Sequence, residues 1–197
     1  MCIDKISEEF AMDQWDKKRN VMQRYDLTAH LYDMRYAEEQ TAKIEAAVKS
    51  INLEKHNLVL DVGCGTGLLS GYVANKARMV VGLDISRKIL FQAREHAKKF
   101  PNVHLICADA DTMPLKENIF DYAFAVTLIQ NMPNPLENLN EVKRVTKKTA
   151  VIVVTGLKKK FSLEVFEELL RNAGLNMFAL KNENLRCHVA VCTKLLY

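Results

Sequence analysis

Three acidic side chains and a glycine-rich turn follow short apolar runs in the middle of the chain. Asp61 stands just before the turn Gly63-Cys64-Gly65-Thr66-Gly67, Asp84 ends the next apolar run, and Asp109 ends the one after that. Glycines at a strand-to-helix turn let the backbone approach a ligand closely and adopt positive φ. Carboxylates accept hydrogen bonds and attract cations. Together these residue types predict a ligand-binding site.

The spacing of the glycines separates this turn from the one that binds dinucleotides. The dinucleotide fingerprint is GxGxxG, with a pyrophosphate at the following helix N-terminus. Here the spacing is GxGxG, and Leu68 stands where the last glycine is expected. Asp61 would repel a pyrophosphate but would suit a cationic group. The turn therefore predicts a ligand that carries positive charge and no phosphate.

The other two carboxylates suit a nucleoside. Asp84 follows Asp61 by 23 residues, about the distance at which an acidic residue pairs with ribose hydroxyls. Asp109 can accept from an adenine amino group, and the next backbone N–H, that of Ala110, can meet a ring nitrogen. Each feature also has a purely structural interpretation. The glycines could serve packing, Asp84 could cap a helix, and Asp109 could cap a turn.

Apolar runs that alternate with helical segments must position these residues. The pattern predicts strands over 57–62, 78–84, 103–108, 121–128 and 149–155, helices over 68–77, 86–100, 136–145 and 162–172, and two final strands over 176–180 and 187–193. Ser86 and Ser162 are expected as helix N-caps and Gly174 as a C-cap. The alternation favours an α/β fold with helices on both faces of a seven-stranded, mostly parallel sheet. The final pair forms a hairpin, so one strand runs antiparallel.

Length and composition set the broad class. The chain has 197 residues, 49% of them hydrophobic, with only 7 Gly and 4 Pro, which excludes collagen-like and low-complexity chains. It contains no run of 18 apolar residues and no apolar signal segment, so we expect no membrane span and no secretion. Five scattered cysteines without a CxxC pair favour a reducing, cytoplasmic setting and no metal site. We expect a single domain over 1–197, with a helical cap over 1–50 and the sheet core over 51–197.

The net charge of +4 conceals an asymmetry. Residues 1–140 hold 17 basic and 19 acidic side chains, whereas residues 141–197 hold 11 basic and 5 acidic ones. The basic surplus includes Lys158, Lys159 and Lys160, directly after the fifth predicted strand. Clustered cations suit a polyanion such as RNA. A solubilising loop is the alternative interpretation.

The ordered set Asp61-Val62-Gly63-Cys64-Gly65-Thr66-Gly67, Asp84 and Asp109 closely resembles class I S-adenosylmethionine-dependent methyltransferases, over about residues 25–155. The stretch Tyr25-Asp26-Leu27-Thr28-Ala29-His30-Leu31-Tyr32-Asp33 matches the family's Tyr-Asp-x-x-Ala-x-x-Tyr-Asp pattern. The resemblance implies a Rossmann-like sheet, S-adenosylmethionine as cofactor, and an in-line methyl transfer. It implies these cofactor-binding residues: Tyr32, Tyr36, Asp61, Gly63, Cys64, Gly65, Gly67, Asp84, Ile85, Asp109, Ala110 and Thr127. Core packing is the alternative for the two tyrosines.

The segment after the fourth strand bears on the methyl acceptor. Family members that methylate amide or adenine amino nitrogens carry Asn/Asp-Pro-Pro-aromatic here, whereas this chain has Gln130-Asn131-Met132-Pro133. The chain looks more like the group that contains quinone-ring, small-molecule and some wobble-uridine tRNA methyltransferases. Asn131 either positions an acceptor or caps a turn. His30, Tyr36 and His188 are candidate bases, and no catalytic residue is assigned.

Two classes of function remain open. The chain is either an active transferase that modifies a small metabolite, RNA or a protein, or a catalytically silent relative that binds cofactor or scaffolds a partner. We expect an RNA-modifying version to need an activating protein partner, because no RNA-binding domain fits in the length available. The apolar strand over 103–107 could offer its edge to such a partner.

Overall fold

The structure, a computed structural model, describes the backbone of residues 2–181 and 183–195 and the side chains of 14–27, 37–181 and 183–195. The strands are β1 (Leu58–Val62), β2 (Met79–Asp84), β3 (Val103–Cys107), β4 (Phe120–Ala125), β5 (Thr146–Leu157), β6 (Leu175–Lys181) and β7 (Cys187–Lys194). The α-helices are α1 (Cys2–Val48), α2 (Ser70–Val73), α3 (Arg87–Ala97), α4 (Pro135–Val145) and α5 (Leu163–Asn172). Short 3₁₀ turns cover Ala74–Lys76 and Ile129–Asn131.

The strands form one sheet in the order β3-β2-β1-β4-β5-β7-β6. Strands β1 to β5 pair in parallel, and β7 runs antiparallel to both of its neighbours. The predicted seven-stranded, mostly parallel sheet is therefore confirmed. The strand order reverses between β1 and β4, so the ligand crevice of such a sheet is expected at their carboxyl ends.

Alternate side chains of the central strands enter two core layers. Leu60 and Val62 of β1 pack in the layer that contains α4 and α5, whereas Val59 packs in the layer that contains Ile44 and Ala47 of α1. Because successive side chains point to opposite faces, Asp61 points to the same face as Val59. The pleat of β1 thus turns this carboxyl group toward α1.

The expected caps lie where the sequence placed them. The Ser86 hydroxyl accepts from the Ile89 N–H at 3.1 Å, and the Ser162 hydroxyl accepts from the Val165 N–H at 3.3 Å. Gly174 ends α5 with a φ of 66°. These side-chain caps satisfy backbone N–H groups that the first turn of a helix leaves without partners.

The helix expected over 68–77 is shorter than predicted, since only Ser70–Val73 is α-helical, and the end of the fourth strand was also predicted wrongly. The strand expected over 121–128 ends at Ala125, because Thr127 adopts a left-handed φ of 60°. The Thr127 N–H donates to the Thr155 hydroxyl of β5 at 2.7 Å, which stabilises this turn. The chain therefore leaves the sheet early and enters the 3₁₀ turn Ile129–Asn131. Among the helices in the described part of the chain, none is long and apolar enough to cross a membrane.

Candidate functional site

A pocket lies at the carboxyl ends of β1 to β4, beneath α1. It is lined by Lys18, Val21, Tyr25, Gly63, Gly65, Leu83, Asp84, Ile85, Ile89, Asp109, Ala110, Val126, Thr127, Leu128, Asn131 and Met132. Seven of the twelve residues predicted for cofactor binding are among them, namely Gly63, Gly65, Asp84, Ile85, Asp109, Ala110 and Thr127. The fold therefore brings residues from four strand ends to one place. A second, adjoining pocket contains Asp61 and Cys64 and shares Gly63, Gly65 and Val126 with the first.

The glycine turn approaches the far wall of the pocket closely. Gly63 has a φ of +69°, and a Cβ at this position would lie 2.8 Å from Leu128 Cδ1. Its N–H and that of Cys64 both donate to the Leu83 carbonyl, at 2.7 and 2.9 Å. The turn is thus bound to β2, and only glycine suits both its backbone and its neighbour.

Gly67 has a different role from the other two glycines. It lines neither pocket, and with a φ of +80° its absent Cβ would lie 3.3 Å from Ala93 Cβ on α3. It therefore serves the packing of the turn against α3. Cys64 is buried, and burial raises the pKa of its thiol well above the usual value. A thiol that stays neutral is a poor nucleophile, so Cys64 is a small buried residue of the turn and not a reactive one.

Asp84 connects three elements of the site. One carboxylate oxygen accepts from the Gly65 N–H at 3.0 Å and the other from the Ser86 N–H at 2.9 Å. Burial raises the pKa of Asp84, and these N–H groups oppose that rise. The helix cap itself is Ser86, so Asp84 is not the N-cap that the sequence left open. Each oxygen keeps a further lone pair for a ligand in the pocket.

Asp61 is a buried acid, 5% exposed, in the second pocket beside Gln40 and Ile44 of α1. Burial, and then the nearby charge of Asp84, raise the pKa of Asp61 to about 8. An isolated carboxylate is costly in such surroundings, and a cation at the site would offset that cost. The second pocket therefore suits a positively charged group.

Asp109 binds a side chain that the sequence analysis missed. Its Oδ1 accepts from the Asp111 N–H at 3.0 Å, and its Oδ2 lies 2.7 Å from Lys18 Nζ. The same Nζ lies 2.6 Å from Asp111 Oδ2. Lys18 reaches Asp109 from 91 residues away, and no local pattern announces such a contact.

A second group from α1 meets the end of β4. The Asn131 amide accepts from Arg24 at 3.0 Å and donates to the Tyr25 hydroxyl at 3.0 Å and to the Thr127 carbonyl at 2.9 Å. Asn131 therefore holds α1 against the turn after β4. Tyr25 opens the matched tyrosine-aspartate stretch, which is the signal that could have placed it in the pocket.

Thr127 also contacts α1 further along the helix. Its hydroxyl lies 2.9 Å from Gln40 Oε1 and accepts from Lys43 Nζ at 3.2 Å. Lys43 is only 2% exposed and forms an ion pair with Glu39 at 2.8 Å. This network gives α1 a polar attachment beside the second pocket.

The structure gives different results for the remaining candidate cofactor-binding, base and metal-binding residues. Tyr32 and Tyr36, with His30, lie in α1, but their side chains are outside the described residues. His188 lines neither pocket, because its ring stacks on Phe166 with centroids 5.5 Å apart in the core. Within the described part of the chain, no group of three or more His, Cys, Asp or Glu side chains could hold a metal ion.

Comparisons with known proteins agree with this geometry. Residues 60–154 match the family model described as a methyltransferase domain. A malonyl-[acyl-carrier protein] O-methyltransferase of Marinomonas is 31% identical over 144 residues, which are 72% of this chain and 53% of that protein. The chain thus spans about half the length of this curated relative.

Two solved structures share the fold. A SAM-dependent methyltransferase from Aquifex aeolicus superposes with a TM-score of 0.69 at 24% identity, covering 77% of this chain and 89% of that one. A Haloferax volcanii methyltransferase, in complex with the Trm112 methyltransferase activator, superposes with a TM-score of 0.73 at 15% identity, covering 86% of this chain and 97% of that one.

Proposed function

Because the protein belongs to the class I S-adenosylmethionine-dependent methyltransferases, we propose that it transfers a methyl group by in-line displacement to a small-molecule acceptor. The observation that carries this proposal is the meeting of the glycine turn, Asp84 and Asp109 in one pocket, with Asp61 in the adjoining one. S-adenosylmethionine is the cofactor of the family, and when bound it supplies an electrophilic methyl group on a positively charged sulfur. The protein then has to position the reactants and exclude water.

The residues of the two pockets fit this cofactor. Asp61, buried and with a raised pKa, would hold its cationic end. Asp84 would accept from the ribose hydroxyls, and Asp109 with the Ala110 N–H would hold the adenine. Apolar side chains of Ile85 and its neighbours line the space between these polar groups. The purely structural interpretation explains the hydrogen bonds of Asp84 but gives no reason to bury Asp61.

Two observations favour a small acceptor. The segment Gln130-Asn131-Met132-Pro133 lacks the pattern of amide and adenine amino methylation. In addition, α1 covers the pocket through Lys18, Val21 and Tyr25, which narrows the approach.

Transfer of a tritiated methyl group tests the proposal. The purified protein is incubated with labelled S-adenosylmethionine and a fractionated extract of the source cell, and the Asp84→Ala variant is the control. We expect label in the small-molecule fraction that depends on Asp84. Label in protein or RNA would overturn the acceptor class. Cofactor binding without label in any fraction would establish the catalytically silent alternative.

RNA is the second candidate acceptor, supported by the exposed residues Lys158, Lys159 and Lys160 after β5. Changing all three to Gln should weaken RNA binding and lower the slope of log K against log salt by roughly 0.7–0.9 for every phosphate that the protein no longer neutralises. The matched control changes three exposed lysines elsewhere, Lys55, Lys88 and Lys99, to Gln. Equal slopes for the two triple variants would reject an RNA site at this loop.

An activating protein partner would dock at the β3 edge. Among the described strands none pairs with the outer side of β3, which carries exposed His104 and Cys107. The neighbouring Phe91 of α3 is 67% exposed. Uncovered strand edges are templates for pairing with another chain, and the Haloferax neighbour is bound to an activator.

The two sheet edges provide a matched test of this docking site. An activator of the Trm112 type is mixed with the His104→Asp variant, and with Phe178→Asp on β6 at the opposite edge as control. We expect only the β3 variant to lose the complex on size exclusion. Loss in both variants, or in neither, would move the partner away from β3.

A further inference from the structure

Residues 14–27 of the cap helix α1 dock on the pocket by polar contacts. Between residues 14 and 27 of α1 no side chain is fully buried, and Trp15 and Leu27 are 54% and 73% exposed. Further along the same helix, Ile44 and Ala47 are 3% and 0% exposed in the core. Segments with few buried apolar contacts open at lower free energy than segments anchored in a core. Residues 14–27 cover the pocket, and we call them the roof. The roof is therefore the part of α1 that can detach from the sheet.

The strongest of these polar contacts occupies the predicted adenine site. Lys18 Nζ bridges Asp109 Oδ2 at 2.7 Å and Asp111 Oδ2 at 2.6 Å, and the three side chains are only 10–13% exposed. The other oxygen of Asp109 already accepts the Asp111 N–H. An adenine amino group must therefore share or replace the Lys18 contact in order to use Asp109.

Three further hydrogen bonds hold the same segment. The Ser86 hydroxyl donates to Asp26, which connects α1 to the start of α3. Arg24 and Tyr25 bond to Asn131 after β4. Together with Lys18, these contacts attach the roof to the ends of β2, β3 and β4. Each is a polar contact that solvent or a ligand can exchange.

We propose that Lys18 is a latch that holds α1 closed over the cofactor pocket, and that S-adenosylmethionine binds only after Lys18 leaves Asp109. The inference rests on the proposed use of this cofactor. In the closed state the ammonium neutralises one of two neighbouring carboxylates and covers the acceptor oxygen. Release of the latch frees that oxygen and opens the roof at the same time. Cofactor association is then limited by opening of the helix.

Trp15 provides a built-in reporter. It is the only tryptophan of the chain, and Lys18 Nζ lies 5.5 Å from its ring centroid. Movement of the ammonium or of the helix changes the surroundings of this indole. Stopped-flow fluorescence of the wild-type protein should therefore show an observed rate that reaches a plateau as the cofactor concentration rises, since opening precedes binding.

Removal of the latch tests the proposal. Lys18→Met should raise the plateau by about five- to tenfold, because it removes both ion pairs of the ammonium. Asp111→Asn, which leaves Asp109 intact, should raise it by a smaller factor. Arg19→Met is the matched control, because Arg19 lies one residue away and, among the described side chains, forms an ion pair with exposed Asp16 at 3.6 Å. Retention of radiolabelled cofactor on a filter gives an independent measure of the association rate of each protein.

The outcomes separate the latch from the proposed function. Absence of cofactor binding by the wild-type protein and by every variant would overturn the proposed function itself. Binding with the same plateau in Lys18→Met and wild type, or a slower plateau in the variant, would overturn the latch alone. Far-ultraviolet circular dichroism checks that each variant is folded, and Lys18→Arg should restore the slow association.

Discussion

The strand ends of β1 and β2 and the turn after β4 are built by different means. Around Asp84, the hydrogen-bond partners Gly65 and Ser86 lie 19 and 2 residues away in the chain. Around Asn131 and Thr127, the partners on α1 lie 84 to 107 residues away. The cofactor side is thus organised by local backbone geometry, whereas the side beside β4 is assembled by a distant helix. Substitutions around Asp84 should therefore weaken cofactor binding. Substitutions around Asn131 and Thr127 should instead weaken the attachment of the roof, residues 14–27 of α1.

The largest effect is expected on the cofactor side. Asp84→Ala removes the acceptor for two N–H groups of the site and for the ribose hydroxyls, so the Kd for S-adenosylmethionine should rise by about 100-fold, as expected for removing two or three charge-assisted hydrogen bonds. Isothermal titration measures it. Asn131→Ala should not raise the same Kd, because it loosens the helix that has to open before the cofactor binds. An unchanged Kd in Asp84→Ala would reject the ribose assignment.

Asp61 predicts a pH dependence of the same binding. Its pKa is raised from 3.8 to about 8, so the acid holds a proton at neutral pH that a bound cation would expel. Cofactor affinity should therefore increase toward about tenfold per pH unit between about 6 and 8, and level off above. Titrations in buffers of different ionisation enthalpy measure the released proton. In Asp61→Asn the dependence should be flat, and a persistent slope would assign it to another group.

The same shift gives a prediction about stability. The folded protein without ligand binds a proton at Asp61 that the unfolded chain has already released. The free energy of unfolding should consequently fall as pH rises from about 4 to about 8, in contrast to a carboxyl group with a lowered pKa. Urea titrations of wild type and Asp61→Asn measure this, and the pH dependence of their difference should vanish above the upper limit. A wild-type stability that rises with pH relative to the variant would contradict the raised pKa.

Beside β4, Asn131→Ala should weaken the attachment of the roof to the sheet. The change removes three side-chain hydrogen bonds, one of them to the Tyr25 hydroxyl, so we expect about 1–3 kcal/mol lower stability of the docked helix. Limited proteolysis should cut α1 faster while the rest of the chain stays protected. Equal cleavage rates would show that Asn131 does not hold the helix.

The smallest effect is expected for an exposed ion pair between α1 and the turn before β7. Arg186 reaches Glu39 of α1 at 3.8 Å, but its side chain is 83% exposed. Exposed ion pairs contribute little, so Arg186→Ala should change the free energy of unfolding by less than about 0.5 kcal/mol. Thermal melts measure the change. A larger loss would mean that surface contacts also hold α1.

The features that could be predicted from sequence are those with local causes. Ser86, Ser162 and the apolar runs of the strands act through neighbours a few residues away, so their patterns indicate the correct elements. The boundary of β4 was missed because Thr127, a β-branched residue, rarely adopts the positive φ that it has here. Its left-handed turn depends on Thr155, on a different strand.

The sequence analysis predicted the pocket residues that follow the strands, but it did not predict the residues of α1 that cover the pocket. Gly63, Asp84 and Asp109 follow strands, and the sheet topology alone brings them together. Lys18 and Tyr25 lie on a long helix whose path across the sheet is set by tertiary contacts. A lysine in a polar helix has the same appearance in sequence whether it faces solvent or a pair of buried acids.

The pairing of α1 with β7 also affects how the chain is made. Ile44 and Ala47 share a core layer with Val189 and Val191, yet 142 residues separate Ala47 from Val189. At ribosomal rates of about 5–20 residues per second, the helix is synthesised about 7–28 s before that partner. During this interval its apolar end can pack against β1 and β2, whose side chains share the same layer, but not against β7. The final packing of α1 therefore coincides with insertion of β7 between β5 and β6.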